Sequence, residues 1–473
     1  MDITLSKQLA RFAAELSYDA IPPNVIDKAK ACTLQNITSA LIGAQTPRGR
    51  TTMRIIKLEE PQAGGATILV DGSRVTRTGA AFVNSDLMCI TNQCDSYEML
   101  THPGCILIPA ALATAEIEEK GGREFIEAVV AGYEVHNRIA DGFIPSTQAR
   151  GFRSASVYGI FGAAVATAKL LGFDEDKMAC TIALAAAAAS GNLESARTGG
   201  EYRMHEPNAA RTGALAAIMA GETRYYADTV LEGEAGFYYA FTGSNQGKLP
   251  YVYTGPNNIE LSSVVDNLGT QYKMLDVTFK PYPTPGYNNP VIELMTRLKN
   301  QYHITHDQIR DILVEVNWLE ITYPSPAYPR KYLTEPNIGT IHYVTAYVCV
   351  EGSYPTHGRW FERAGQGGPG ETGQPPQVLE LMKRVKVVGG KDRDFFSPRI
   401  TITMKNETSY TGEFTGDEFK WDFEEDARRV IDSLPGIPLA RPKFDGLVDR
   451  VRHLETLSSM RELTELCCVS TAA

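Results

Sequence analysis

The chain has no CxxC pair and no Cys/His spacing of the kind that holds a metal. Its eight cysteines are scattered over 473 residues, and Cys467-Cys468 falls in what reads as a loose tail. Such cysteines read as reduced thiols in a reducing compartment rather than as a disulfide framework. Positive charge is also short: 46 Lys and Arg against 56 Asp and Glu leave a net charge of −10. Nucleic-acid binding, which draws its affinity from basic patches, is therefore not expected. Long apolar runs are missing as well. The most apolar stretch, residues 181–190, is short and Ala-rich, which suits a close-packed core helix rather than a membrane span. Residues 1–7 show no basic region leading into an apolar one, so a secretory signal is not expected and the cytoplasm is the default location. The glycine-rich run 365–373 follows no strand and precedes no Gly-Lys-Ser/Thr, which excludes a phosphate cradle there. No internal repeat is visible.

What is present is the composition of a soluble globular enzyme, 43% hydrophobic and 22% charged, long enough for two or three domains or one domain with an insertion. Leu5, Leu9, Phe12 and Leu16 recur at helical spacing. Pro22-Pro23 then open a second helix carrying Val25, Ala29, Leu34, Ile37 and Leu41. Segments 125–139, 156–171, 177–190 and 208–220 are rich in Ala and Gly, which lets helix axes approach closely in a bundle. Residues 66–70 and 74–76 predict a small hairpin across Asp71-Gly72. After about residue 270 the texture changes. Stretches 274–280, 312–316 and 399–404 alternate at period two and predict strands, while 290–300 and 338–350 keep a helical period. From Trp421 the pattern is helical again. The expected fold is mainly α with an inserted α+β domain: a helical body from residues 1–272 and 420–473, and a smaller α+β domain over 273–419.

Four segments carry chemistry. The run from Asp95 to Gly104 gathers two carboxylates, two hydroxyls and an imidazole just before the apolar run 105–113. A histidine at a helix entrance beside such groups can move protons near neutral pH. The plain alternative is a capped loop, with Thr101 as N-cap and His102 solvated. Residues 148–159 place Arg150, Arg153, Ser154 and Ser156 directly before an apolar helix, a seat for a carboxylate or phosphate at a helix N-terminus, or else a surface loop. Residues 199–211 repeat that logic with Tyr202, Arg203 and His205. In residues 280–289, Lys280 ends a predicted strand and prolines stiffen the following turn; a lone lysine there is either a ligand or a solvated strand end.

In order and flanks these segments resemble one family. Thr101-His102-Pro103-Gly104 with Ile108-Pro109-Ala110-Ala111, then Gly132-Tyr133-Glu134-Val135 and Arg138, is similar to the MmgE/PrpD family. So are Val157-Tyr158-Gly159, then His205 with Asn208-Ala209-Ala210-Arg211, and finally Phe279-Lys280-Pro281-Tyr282-Pro283. The resemblance covers roughly residues 5 to 460. It implies a helical body with an α+β lid, a homodimer, no cofactor or metal, and a di- or tricarboxylate substrate. It also implies a lyase, most simply one dehydrating 2-methylcitrate or an alkylcitrate to an aconitate-type alkene. A cis-aconitate-type decarboxylase, an isomerase or epimerase, and a non-catalytic binder of an anionic metabolite are the alternatives. By the same resemblance His102, Asp95, Lys280 and Tyr202 are the catalytic candidates. Asn92, Ser96, Arg153, Arg203, His205, Tyr282 and Tyr323 are the substrate-binding ones. The chain departs from the family pattern at several of these positions. Asn92 stands where an aspartate is usual, Arg153 where decarboxylase relatives carry a histidine, and Tyr202 where they carry a lysine. Pro285 and Asn288-Asn289 replace a histidine-bearing turn, and either Tyr323 or Tyr328 is the lid tyrosine.

Overall fold

The computed structural model describes residues 3–198, 204–223, 225–330, 336, 339–356 and 374–469. The first half is built from helices α1 (Leu5–Glu15), α2 (Pro23–Gly43), α3 (Pro47–Glu59), α4 (Arg77–Ile90), α5 (Gly104–Ile117) and α6 (Gly122–Ala140). They continue as α7 (Ile144–Ala149), α8 (Ser154–Leu170), α9 (Glu175–Ala188), α10 (Glu194–Thr198), α11 (His205–Glu222) and α12 (Phe237–Thr242). Short polar side chains start several of them. The Thr46 hydroxyl accepts from the Gly49 amide at 2.8 Å, Thr76 from Gly79 at 2.9 Å, and Asp174 from Lys177 at 3.0 Å. Pro23 occupies the first turn of α2, where its missing N–H costs nothing.

The centre of this body is α5 and α8, apolar nearly all round and buried along almost their whole length, as a fully enclosed helix must be. α8 packs against α5, α6, α9 and α11. Small residues set the spacing. A Cβ added at Gly132 would stand 2.8 Å from the Gly162 carbonyl oxygen, and one at Gly213 would stand 2.7 Å from the Ala163 Cβ. The expected hairpin is present as β1 (Pro61–Thr67) paired antiparallel with β2 (Arg74–Val75), its turn carried by Gly72 at φ +81°.

The second half adds α13 (Asn288–Tyr302), α14 (Ile341–Glu351) and a four-stranded sheet of β3 (Ile309–Asn317), β4 (Val385–Gly390), β5 (Arg399–Met404) and β6 (Ser409–Glu413). The strand order is β4-β3-β5-β6, with β3 and β4 parallel and the other pairs antiparallel. The parallel pair needs a crossover, and α14 with the helix Pro376–Met382 provides it. The protein is thus mainly helical with small sheets. The later helices Phe423–Val430 and Arg441–Arg452 pack on α2. No helix among the described residues is long and apolar enough to cross a membrane.

Two expectations are corrected. Residues 274–280 are not a strand: a 3-10 turn, Lys273–Asp276, is followed by extended chain. That chain has no continuous partner. Thr278 exchanges both backbone hydrogen bonds with Ser96 at 2.8 Å, and the Phe279 amide turns to the Phe419 carbonyl. Nor is the Cys467-Cys468 end loose. Cys467 closes the helix Arg461–Cys467 with its side chain fully buried, and the Val469 amide bonds to the Val70 carbonyl at 2.9 Å. The glycine-rich run 365–373 lies outside the described residues.

Candidate active site

Between the end of α4 and the start of α5 the chain makes a tight, well-anchored loop. Asn92, Glu98 and Met99 hold left-handed φ values of 58°, 45° and 65°. Non-glycine residues persist there only where the surroundings over-determine them, and such positions gather at functional sites. The anchors are visible. Thr101 donates its hydroxyl to the Tyr97 carbonyl at 2.7 Å, the Tyr253 hydroxyl donates to the Glu98 carbonyl, and the Ser96–Thr278 bridge ties the loop to the segment carrying Lys280. Thr101 is therefore not the helix cap. Asp95 fills that place: its Oδ1 accepts from the Gly104 amide at 3.0 Å and its Oδ2 from the Tyr133 hydroxyl. Burial pushes the Asp95 carboxyl up from its ordinary range.

His102 sits half-buried in this loop with Nδ1 3.1 Å from the Asp95 carbonyl oxygen and 3.1 Å from the Ser96 hydroxyl oxygen. A carbonyl can only accept, so Nδ1 carries the hydrogen and Nε2 carries the lone pair, an assignment made from the network. Burial, then the positive charges of Lys280 and Arg153, hold its pKa well below the usual histidine value. The imidazole is neutral at physiological pH, which is the form that accepts a proton.

His102 lines a cavity of about 220 Å³ together with Asn92, Arg48, Arg153, Glu206, Lys280, Tyr287, Tyr323 and Arg330. Lys280 is buried, with its Nζ 3.8 Å from the Cys94 sulfur. Arg48 is paired with Asp86, and Arg330 stacks its guanidinium 5.1 Å over the Tyr323 ring. Among the described residues, four cationic side chains thus face one carboxylate around this cavity, in a chain of net charge −10. Arg153 precedes α8 and is not free. Its Nε and Nη2 donate to Glu206 Oε1 at 3.1 and 2.7 Å. Burial opposes ionisation of Glu206, but the charge of Arg153 holds its carboxyl well below the carboxylate range.

The structure brings His102, Lys280, Asn92, Arg153 and Tyr323 to one cavity. Ser96 touches His102 from behind, and Asp95 reaches the site only through its backbone. The Tyr282 hydroxyl donates to Glu293 at 3.1 Å, away from the cavity lining. His205 lines a neighbouring hollow with Ser156 and Asn208. Tyr328 is 47% exposed and also lies outside the lining. Tyr202 and Arg203 are outside the described residues. Sequence reasoning missed Glu206, Arg48 and Arg330. A search for anion-binding groups passes over an acid, and neither arginine sits in a motif. Among the described residues no group of three His, Cys, Asp or Glu side chains is placed to hold a metal ion.

The sequence profile of the MmgE/PrpD N-terminal domain matches residues 7–249. The cis-aconitate decarboxylase of Aspergillus terreus is 28% identical over 307 residues, covering 63% of this chain and 61% of that protein. The cis-aconitate decarboxylase-like protein oryM of Aspergillus oryzae is 26% identical over 321 residues, covering 65% and 64%. The chain thus spans less than two thirds of these two relatives. Mouse cis-aconitate decarboxylase is 23% identical over 479 residues, covering 98% and 93%.

Proposed function

This chain belongs to the MmgE/PrpD family, and from that premise we propose that it is a lyase acting on a citrate-like polycarboxylate. The reaction proposed first is dehydration of 2-methylcitrate or an alkylcitrate to an aconitate-type alkene. The observation that carries this is the neutral His102, its Nδ1 committed to the Asp95 carbonyl, in the wall of a cation-rich cavity beside Lys280. His102 Nε2 takes the proton from the carbon next to a carboxylate. The C–H electron pair becomes the new double bond, and the C–O bond breaks. The departing oxygen leaves as water with a proton from an acid, the role assigned to Tyr202. Lys280 and the arginines offset the substrate carboxylates and the charge that develops as the proton leaves. Asp95 acts as a positioning residue. Residues 273–419 form the lid in this reading, and a homodimer in the cytoplasm belongs to the same proposal on family likeness alone.

A second reading is favoured by the names of the relatives: decarboxylation of a cis-aconitate-type acid, in which an alkene carbon gains a proton while the bond to a carboxylate breaks and CO2 departs. Proton NMR in heavy water with 2-methylcitrate, citrate, cis-aconitate and itaconate separates the two. A vinyl proton growing from citrate, or a methyl singlet replacing the methyl doublet of 2-methylcitrate, is the expected result. Itaconate from cis-aconitate would replace the first reading with the second, and no change in any of the four would contradict both.

A further inference from the structure

Three cysteines gather where α4 leads into α5, and the proposed reaction uses none of them. Cys89 and Cys94 line the cavity that holds His102 and Lys280. Cys105 stands behind that wall in the first turn of α5, fully buried, with its Sγ 3.3 Å from the His102 carbonyl oxygen. Cys94 Sγ lies 3.8 Å from Lys280 Nζ and within hydrogen-bond reach of the Cys105 thiol.

The three thiols differ in chemistry. A thiolate is the nucleophilic form, and a neighbouring cation or donor favours it. Hydrogen bonding to Cys105, and then the charge of Lys280 working against burial, bring the Cys94 pKa down. Burial holds Cys105 and Cys89 as protonated thiols, and Cys89 Sγ turns to the Asp86 carbonyl oxygen at 3.5 Å. One sulfur that ionises readily therefore faces the cavity, with a protonated sulfur directly behind it. That is the division between an attacking and a resolving thiol. Hydrogen peroxide is uncharged and close to water in size, so a cavity of about 220 Å³ has room for it.

We infer that Cys94 and Cys105 form a peroxide-reactive thiol pair, with Cys94 as the attacking sulfur and Cys105 as the resolving one. The Cys94 thiolate attacks one peroxide oxygen. An S–O bond forms, the O–O bond breaks, and the departing hydroxide takes a proton to become water. Cys105 then attacks the Cys94 sulfur, forming the S–S bond as the S–O bond breaks. The second water leaves with the Cys105 proton. Two thiols are oxidised and one peroxide is reduced. The new bond ties together the two ends of the loop carrying His102, whose Nδ1 is held by the carbonyl of Asp95, next to Cys94.

The test is to treat the full chain with hydrogen peroxide, alkylate it under denaturing conditions, and measure its intact mass and peptide map. The wild type is expected to lose the mass of two hydrogens, to carry a Cys94–Cys105 disulfide, and to regain both thiols with dithiothreitol. In Cys105→Ala the second step has no sulfur, so dimedone should label Cys94 as its sulfenic acid. In Cys94→Ala, Cys105 should stay a free thiol. Two alkylated thiols in the peroxide-treated wild type, or a disulfide joining Cys94 to Cys89, would overturn the pair. The wild-type map decides the matter even if either variant fails to fold.

Discussion

At the level of single side chains, the proposed function assigns proton transfer to His102 and charge to Lys280. A general base works in its deprotonated form, and the pKa of His102 is held well below 6.5 by burial and by its cationic neighbours. The acid limb of kcat/KM, which reports the free enzyme, should therefore lie below pH 6.5, with full activity retained above it. A limb at or above pH 6.5 would show that His102 is not the titrating base. Replacing Lys280 with Met removes a buried cation from the cavity and should raise KM roughly 10- to 100-fold, the loss expected for a charge-assisted contact. An unchanged KM in steady-state assays would take Lys280 out of substrate binding. Both residues were legible in the sequence because each sits at a proline-marked boundary. Glu206 was not, since its sign runs against the anion-binding logic and its partner Arg153 lies 53 positions away.

At the level of elements, the loop between α4 and α5 is held by contacts that sequence pattern does not announce. Asp95 is a catalytic candidate in the sequence, and in the fold its carboxylate caps α5 and receives the Tyr133 hydroxyl. The face to which a side chain turns depends on where α6 is packed. Asp95→Asn keeps an acceptor for Gly104 but misfits the Tyr133 hydroxyl, so it should cost about 1–3 kcal/mol in urea denaturation. Because the Asp95 carbonyl fixes the His102 tautomer, the variant should also lower kcat more than it raises KM. A stable variant with unchanged kcat would show that the cap does not position His102. The helices and the hairpin were readable because period and turn chemistry are local. Residues 274–280 were misread because alternation predicts an extended chain without revealing whether a second strand lies beside it. Here only Thr278 finds a backbone pair in the 92–102 loop.

At the scale of the whole molecule, the cavity draws on residues from Arg48 to Arg330, joined where the Ser96–Thr278 bridge brings the first half against the second. Its cationic lining opposes the chain's net charge of −10, so the site is a local feature that bulk composition conceals. The order of the family-like segments along the chain made the mainly helical fold readable. The ion pair at Arg153 and the arginines at 48 and 330 needed the packing of α3, α8 and α11 to become visible. The central claim is that His102 moves a proton at carbon in this cavity. The most direct test is proton NMR in heavy water on the wild type and His102→Asn, each incubated with 2-methylcitrate. In the wild type the methyl doublet of 2-methylcitrate should give way to the methyl singlet of the tetrasubstituted alkene. In His102→Asn the rate should fall about 10²- to 10⁴-fold, with a thermal midpoint near that of the wild type. A variant that forms the alkene at the wild-type rate would contradict the account.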